Sequence, residues 1–290
     1  MASEKEMSSY QVENLYLGFK DRLNSKKFNS KLNVNSLLKY AAIFIFAIGL
    51  STFYFHSQNT HSVLKGSGLF NTSIVAENGQ RSKIILPDSS VVWLNSGTIV
   101  TYSSNFAIQN REIKLSGQAF FQVVKNKLMP FIVNCDDLQV KVLGTKFDVN
   151  AYPNTGTVSV ALESGSVELL HSKRESFHYK IVPGEMAQYD VQSSNVVVND
   201  VDIEQVMAWK DGVLYFKGSP MKEVLMKLER KYNIDIDVKN PSVYKSVFTA
   251  TIKNETLDEV FKSIEYACSI HCKIIRSSDQ SIKTKVEISN

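Results

Sequence analysis

The sequence predicts a mainly β protein in three parts: a single transmembrane helix, a β-roll or short β-solenoid domain, and a small α+β domain of order βαββαββ. Three observations predict it. One apolar run, Leu37–Phe55, uncharged from Tyr40 onward, interrupts an otherwise charged chain of 290 residues. Short apolar/polar alternations bounded by turn residues fill 70–192. From residue 209 on, the apolar period alternates between 2 and 3.6, so strands and helices are mixed there. The boundaries follow: a head at 1–36, the helix at 37–55, a linker at 56–69, an all-β domain at 70–192, a second linker at 193–208 and the α+β domain at 209–290.

The head comes first. Val12, Leu15, Tyr16, Phe19 and Leu23 share one face of a helix, and Ser8 with Gln11 has the spacing of a capping box. A helix of about fifteen residues is marginal in water unless something covers that face. The covers open to it are a membrane surface or a protein groove that accepts an amphipathic helix. The remaining alternative is a frayed juxtamembrane tail.

The run LLKYAAIFIFAIGLSTFYF spans roughly 28 Å as a helix at about 1.5 Å per residue, near the thickness of a bilayer's hydrocarbon core. Tyr40 and Tyr54 fall near the two interfaces, and Lys39 is placed to snorkel. Residues 1–39 hold seven Lys/Arg and four Asp/Glu, a net +3, and only Lys65 is basic in the 25 residues after the run. The positive-inside rule then places the head in the cytoplasm and the rest outside. A cleaved signal peptide fits poorly, because bulky Phe53, Tyr54 and Phe55 follow the apolar core.

In the all-β stretch the turns are marked by Pro87-Asp88, Ser96-Gly97, Ser116-Gly117, Gly144-Thr145, Ser164-Gly165 and Pro183-Gly184. The inward set Leu138, Val140, Val142 gives way to Phe147, Val149, Ala151, so the phase flips across Gly144. A similar flip separates Val158, Val160, Leu162 from Val167, Leu169 across Gly165. A flip of period-2 phase requires a corner or bulge.

In the α+β stretch a strand at 212–217 leads to a helix begun by Ser219-Pro220, with Met221, Val224, Leu225, Leu228 and Tyr232 on its apolar face. Strands at 233–238 and 247–252 follow. A second helix begins at Thr256, where Glu259 completes a capping box, and its face is Leu257, Val260, Phe261 and Ile264. Strands at 270–276 and 283–288 close the domain.

Residues 40–290 carry 26 basic and 25 acidic side chains, a near-neutral balance that points to no nucleic-acid partner. The basic head suits anionic membrane lipid. Cys135, Cys268 and Cys272 form no disulfide framework. A Cys268–Cys272 bridge is open in an oxidising compartment, with buried apolar thiols the simpler reading. Neither a catalytic constellation nor a metal or cofactor motif is legible, so the expectation is a non-enzyme with no cofactor and no metal.

Six segments carry a resemblance: LPDSSVVWLNSGTIVTY (86–102), REIKLSGQAFFQVV (111–124), PFIV (130–133), VKVLGTKFDVNAY (140–152), VSVALESGSVEL (158–169) and VPGEMAQY (182–189). In order and spacing this stretch resembles the FecR family of membrane-anchored anti-sigma regulators. WKDGVLYFKGSPMKEVLMKLERKYNIDI (209–236) and TATIKNETLDEVFKSI (249–264) resemble the small signalling domain that ends many such proteins, related to secretin and TonB-receptor N-terminal domains.

The resemblance implies a single-pass inner-membrane protein of a Gram-negative bacterium, with a cytoplasmic N-terminus and a periplasmic C-terminal region. It implies two protein partners. One is an extracytoplasmic-function sigma factor, bound by the head through Val12, Leu15, Tyr16, Phe19 and Leu23. The other is the signalling domain of an outer-membrane TonB-dependent receptor. Some members of the family cleave themselves at a Gly-Thr bond, which makes Gly144-Thr145 a candidate site; the alternative is that Gly144 only makes the turn. The competing class is a membrane-tethered periplasmic adhesion or carbohydrate-binding module without sigma-factor binding.

Overall fold

The structure, a computed structural model, describes residues 20, 45–54, 70–279 and 282–289. It divides into two units, Met1–Gly68 and Leu69–Asn290. In the first, 45–54 is helical and exposes Ile45, Phe46, Ile48, Leu50, Phe53 and Tyr54. Among the described residues no helix is long and apolar enough to cross a membrane. The rest of the expected span, 37–44 and 55, and the head residues Val12, Leu15, Tyr16, Phe19 and Leu23 lie outside the described residues.

The second unit opens with thirteen strands in two sheets that share one long strand. These are β1 (Asn71–Ala76), β2 (Ser82–Ile85), β3 (Val91–Leu94), β4 (Thr98–Ser103), β5 (Arg111–Gln122), β6 (Phe131–Cys135), β7 (Leu138–Val142), β8 (Lys146–Ala151), β9 (Thr157–Ser164), β10 (Val167–His171), β11 (Arg174–Ile181), β12 (Glu185–Asp190) and β13 (Val196–Asp200). The first half of β5 pairs with β4 and β6, and its second half with β3 and β8. One sheet therefore runs β1-β4-β5-β6-β7-β10-β11, and the other runs β2-β3-β5-β8-β9-β12-β13.

Their facing sides enclose one apolar core in which Phe121, Phe131, Phe147 and Leu138 are fully buried. The switch within β5 falls at Gly117, whose φ is +120°. A Cβ there would lie 2.7 Å from the Thr98 Cα, so the strand turns from one sheet to the other only with glycine at that point.

The two phase flips mark crossings between the sheets. β7 and β10 belong to the first sheet, and β8 and β9 to the second. The inward sets expected for these strands are buried as predicted. The solenoid alternative is corrected: a solenoid stacks parallel coils, whereas in this domain only β5 and β6 pair in parallel among the named strands, and the other ladders are antiparallel. The segment 193–208, expected as a linker, contains β13, paired along β12, and the short helix α1 (Ile203–Met207).

The α+β region holds β14 (Leu214–Pro220), α2 (Met221–Tyr232), β15 (Asp235–Val238), β16 (Val247–Ile252), α3 (Leu257–Cys268), β17 (His271–Ile275) and β18 (Lys285–Ser289). β14 pairs with β16, and β18 lies between β15 and β17. Both helices bury the faces their spacing predicts: Met221, Val224, Leu225 and Leu228 from α2, and Val260, Phe261 and Ile264 from α3. The Thr256–Glu259 capping box is formed.

The start of α2 differs from expectation. Ser219 and Pro220 still pair with Phe248 and Val247 as part of β14, and Pro220 occupies the N-cap without a side-chain bond. The first helical N–H, that of Met221, instead donates to the Ser246 carbonyl at 3.0 Å. A neighbouring segment of the same chain thus satisfies a donor that a capping side chain usually takes.

Candidate functional site

The most heavily built polar region is the joint between the β domain and the α+β domain. The turn between β1 and β2 enters it: Gly79 N–H donates to the Arg230 carbonyl at 2.8 Å. Arg81 Nη1 donates to the carbonyls of Trp209 and Lys210, both at 2.8 Å. From the other side Lys231 Nζ donates to the Gly212 carbonyl at 2.7 Å. Between them, α1 and the turn Ala208–Asp211 lie on the outer face of the second sheet. Met207 and Trp209 are packed there against Phe120 and Ala161. Lys210 caps that patch, its Nζ 3.7 Å from the centre of the Phe120 ring.

Asp148 sits beneath this strap with 2% of its surface exposed. Alternation along β8 turns Phe147 and Val149 into the core, so Asp148 faces outward, toward the strap. The Trp209 indole N–H donates to Oδ1 at 2.9 Å, and the Gln118 amide donates to Oδ2 at 2.9 Å. Asn95 in turn donates to Gln118 Oε1 at 2.9 Å. The carboxyl thus receives two neutral donors and no direct cation. Burial pushes its pKa up from 3.8 to about 7, against the opposing pull of Gln118 and Trp209.

Beside the strap opens a cleft of about 870 Å³ between the second sheet and α2 with β14. One wall carries amides and hydroxyls from alternate strand positions, among them Asn95, Gln118, Asn150, Ser159 and Gln188. The other carries Tyr215, Lys217, Glu223, Lys227 and Arg230. The Arg230 guanidinium stacks on the Tyr152 ring, 3.9 Å from its centre, and that ring is fixed by a 2.6 Å bond from its hydroxyl to the Ser96 carbonyl. Desolvation lowers the Arg230 pKa from its ordinary value.

Gly144-Thr145 forms the first crossing between the sheets. A Cβ on Gly144 would lie 2.6 Å from the Lys125 Cα, and Thr145 is buried with its hydroxyl donating to the Ser166 carbonyl at 3.1 Å. Thr145 thus links the two crossings. Cys135 is buried, and Cys268 and Cys272 pack as free thiols at the edge of the α+β core. Burial pushes the Cys272 thiol up to about 12. Among the described residues no cluster of His, Cys, Asp and Glu is arranged to hold a metal ion.

Sequence reasoning passed over Asp148, Trp209, Arg81 and Arg230. The local signal was slight: in TKFDVNAY, Asp148 belongs to an alternating polar set with Lys146 and Asn150, and of the three only Asp148 is buried.

Comparison with known proteins supplies independent findings. The family model described as FecR protein matches residues 72–168, and that described as FecR, C-terminal matches 213–282. Two crystal structures of a candidate anti-sigma factor from Parabacteroides distasonis ATCC 8503, at 1.65 and 2.50 Å resolution, are similar in fold. Each has a TM-score of 0.65 and 29% identity and is matched over 75% of this chain, which spans 98% and 99% of theirs. No curated protein sequence matches the chain.

Proposed function

We propose that this chain, a FecR-family protein by both of its outer domains, is a single-span anti-sigma regulator that relays a signal from an outer-membrane TonB-dependent receptor to an extracytoplasmic-function sigma factor. The observation that supports the reading is the pair of family matches, in order, across the β and α+β domains, together with the 29%-identical anti-sigma candidate that this chain spans almost end to end. It is a task of binding and relay rather than turnover.

The parts divide the work as follows. The run Leu37–Phe55 anchors the chain in the inner membrane, with the basic residues before it on the cytoplasmic side. The head helix offers Val12, Leu15, Tyr16, Phe19 and Leu23 to the sigma factor, an apolar stripe of the kind that lies in a protein groove. The α+β domain meets the receptor's signalling domain in the periplasm. Its small sheets leave the outer edges of β15 and β17 without a partner strand among the described residues, and such edges accept a strand from another protein. The strapped joint makes the β domain and the α+β domain one compact unit, so a contact at the α+β domain bears on the β domain as well.

The test is co-purification of the full-length protein from detergent, with bound proteins identified by mass spectrometry. A sigma factor is expected with the wild type and is expected to be lost when Leu15→Glu and Phe19→Glu are combined. Failure of any sigma factor to co-purify with the wild type overturns the reading.

A further inference from the structure

The cleft contains a feature that signalling through partner strands does not use. Arg230 is half-buried and stacked on Tyr152, and among the described residues its guanidinium meets no protein acceptor. Its backbone is pinned by the bond from Gly79, so the stack is held from both ends. A guanidinium placed this way keeps its planar fork of donors free and has already lost much of its rotamer freedom, the arrangement that recognises carboxylate in two-point fashion.

The carboxylates of Glu223 and Glu229 act on Arg230 through their charge but form no hydrogen bond or ion pair with it among the described residues, and Glu229 accepts the Ile236 N–H at 2.9 Å. Lys227 pairs with Glu223 at 2.6 Å, the Asp148 oxygens are taken by Trp209 and Gln118, and Glu255 accepts from the backbone of Lys253. Lys217 lines the same wall without an ion partner among the described residues. Across the cleft, the side chains of Asn150, Ser159 and Gln188 likewise make no bond to protein among the described residues. Amides and a hydroxyl in that state suit a ligand carrying many hydroxyl groups. The volume, about 870 Å³, lies in the range of sites for small ligands.

We propose that the cleft is a binding site for an acidic oligosaccharide, with Arg230 pairing a sugar carboxylate, Lys217 adding positive field, and Asn150, Ser159 and Gln188 bonding the sugar hydroxyls. The site goes beyond the signalling reading and does not depend on it: sigma-factor co-purification and sugar binding are separate readouts, and either survives the loss of the other.

The experiment is calorimetric titration of the full-length protein in a mild detergent. The probes are tetragalacturonate and a chondroitin tetrasaccharide as acidic sugars, maltotetraose as a neutral sugar and tetraglutamate as an acidic peptide. Saturable binding of at least one acidic sugar is expected, with maltotetraose and tetraglutamate roughly tenfold weaker or worse. Arg230→Lys keeps the charge but loses the fork, and is expected to weaken that binding about tenfold or more.

The double variant Asn150→Ala with Gln188→Ala changes two side chains that support no other group, and is expected to weaken binding severalfold while the circular dichroism spectrum stays unchanged. It carries the test if Arg230→Lys fails to fold. The proposal is overturned if neither acidic sugar binds saturably at millimolar concentration, if binding is unchanged in the variants that fold, or if maltotetraose or tetraglutamate binds as tightly.

Discussion

Two carboxylates whose side chains are almost wholly shielded, Asp88 and Asp148, lie among the described residues in opposite surroundings. Asp88 is held inside the β domain by Arg111, whose Nε and Nη2 reach its Oδ2 at 2.8 and 2.5 Å. Ser90 donates its hydroxyl and its backbone N–H to the same carboxyl, and Arg111 also donates to the carbonyls of Val124 and Met129. Every charge there has an opposite charge or a full set of dipoles. Asp148, at the joint, is the more deeply buried of the two but has only two neutral donors. One acid is a completed ion-pair network that ties the turn before β3, β5 and the loop after β5 together. The other is an uncompensated carboxyl under a strap. The difference teaches that burial alone does not assign a role: the first acid fixes a domain, while the second leaves the contact between domains sensitive to its own protonation.

The largest effect is expected where the network is complete. Arg111→Met keeps the length of the side chain and removes its charge, leaving Asp88 buried without a cation. A loss of about 3–5 kcal/mol is expected in urea unfolding, with a sharply lower midpoint. A loss under about 1 kcal/mol would erase the distinction between the two acids.

The second effect tests the other acid through pH. The folded pKa of Asp148, about 7, stands above its ordinary 3.8, so between those values the unfolded chain releases a proton that the folded chain keeps. Stability is therefore fully present below about 3.8, declines as pH rises and levels off above 7; the gap corresponds to about 4 kcal/mol. Asp148→Asn removes that slope. Its amide keeps an acceptor for Trp209, and Gln118 accepts the new N–H by turning its own amide over, which gives up its bond from Asn95, whose Oδ1 is held by the Ser96 N–H. The variant is expected to be more stable than the wild type by about 1–4 kcal/mol at pH 8, with the two curves converging near pH 4. Parallel urea-stability profiles for the two proteins would show that Asp148 is not the titrating group.

The contrast also marks what the sequence was able to announce. Features written in local periodicity were legible: the helix faces of α2 and α3, the Thr256–Glu259 capping box, and the phase flips at Gly144 and Gly165 that turned out to be crossings between sheets. Each depends on residues within a few positions of one another. The joint was not legible, because its partners are far apart in the chain. Trp209 meets Asp148 across 61 residues, and Arg81 meets Trp209 across 128. No propensity connects such positions; only the packing of the finished sheets does. The closed network was missed for the same reason, since Pro87-Asp88 reads locally as a turn, and its ion-pair partner lies 23 residues on.

A third change acts on the strap itself. Trp209→Phe retains most of the packing against Phe120 and Ala161 but removes the donor to Asp148 Oδ1. The loss is expected at about 1–3 kcal/mol where the carboxyl is ionised, because a hydrogen bond to a charged group is the stronger kind, and smaller where it is protonated. Measured at pH 5 and pH 8, the penalty should grow with pH. A penalty equal at both would mean that the indole contributes through packing alone.

The smallest effect provides the control that gives the others meaning. Thr256 caps α3 and bonds to neither acid: its side chain accepts from the Glu259 N–H, and Glu259 reaches back to the Thr256 N–H at 2.7 Å. Thr256→Ala should lower stability by about 1 kcal/mol. Glu259 is fully exposed, and its pKa is lowered first of all by the Thr256 backbone N–H, which survives the substitution. The penalty should therefore be nearly level from pH 6 to pH 8, the window in which the Asp148 variants diverge. If it instead followed the same pH profile, the slope assigned to Asp148 would belong to the fold as a whole, and the contrast between a closed network and an open joint would fail.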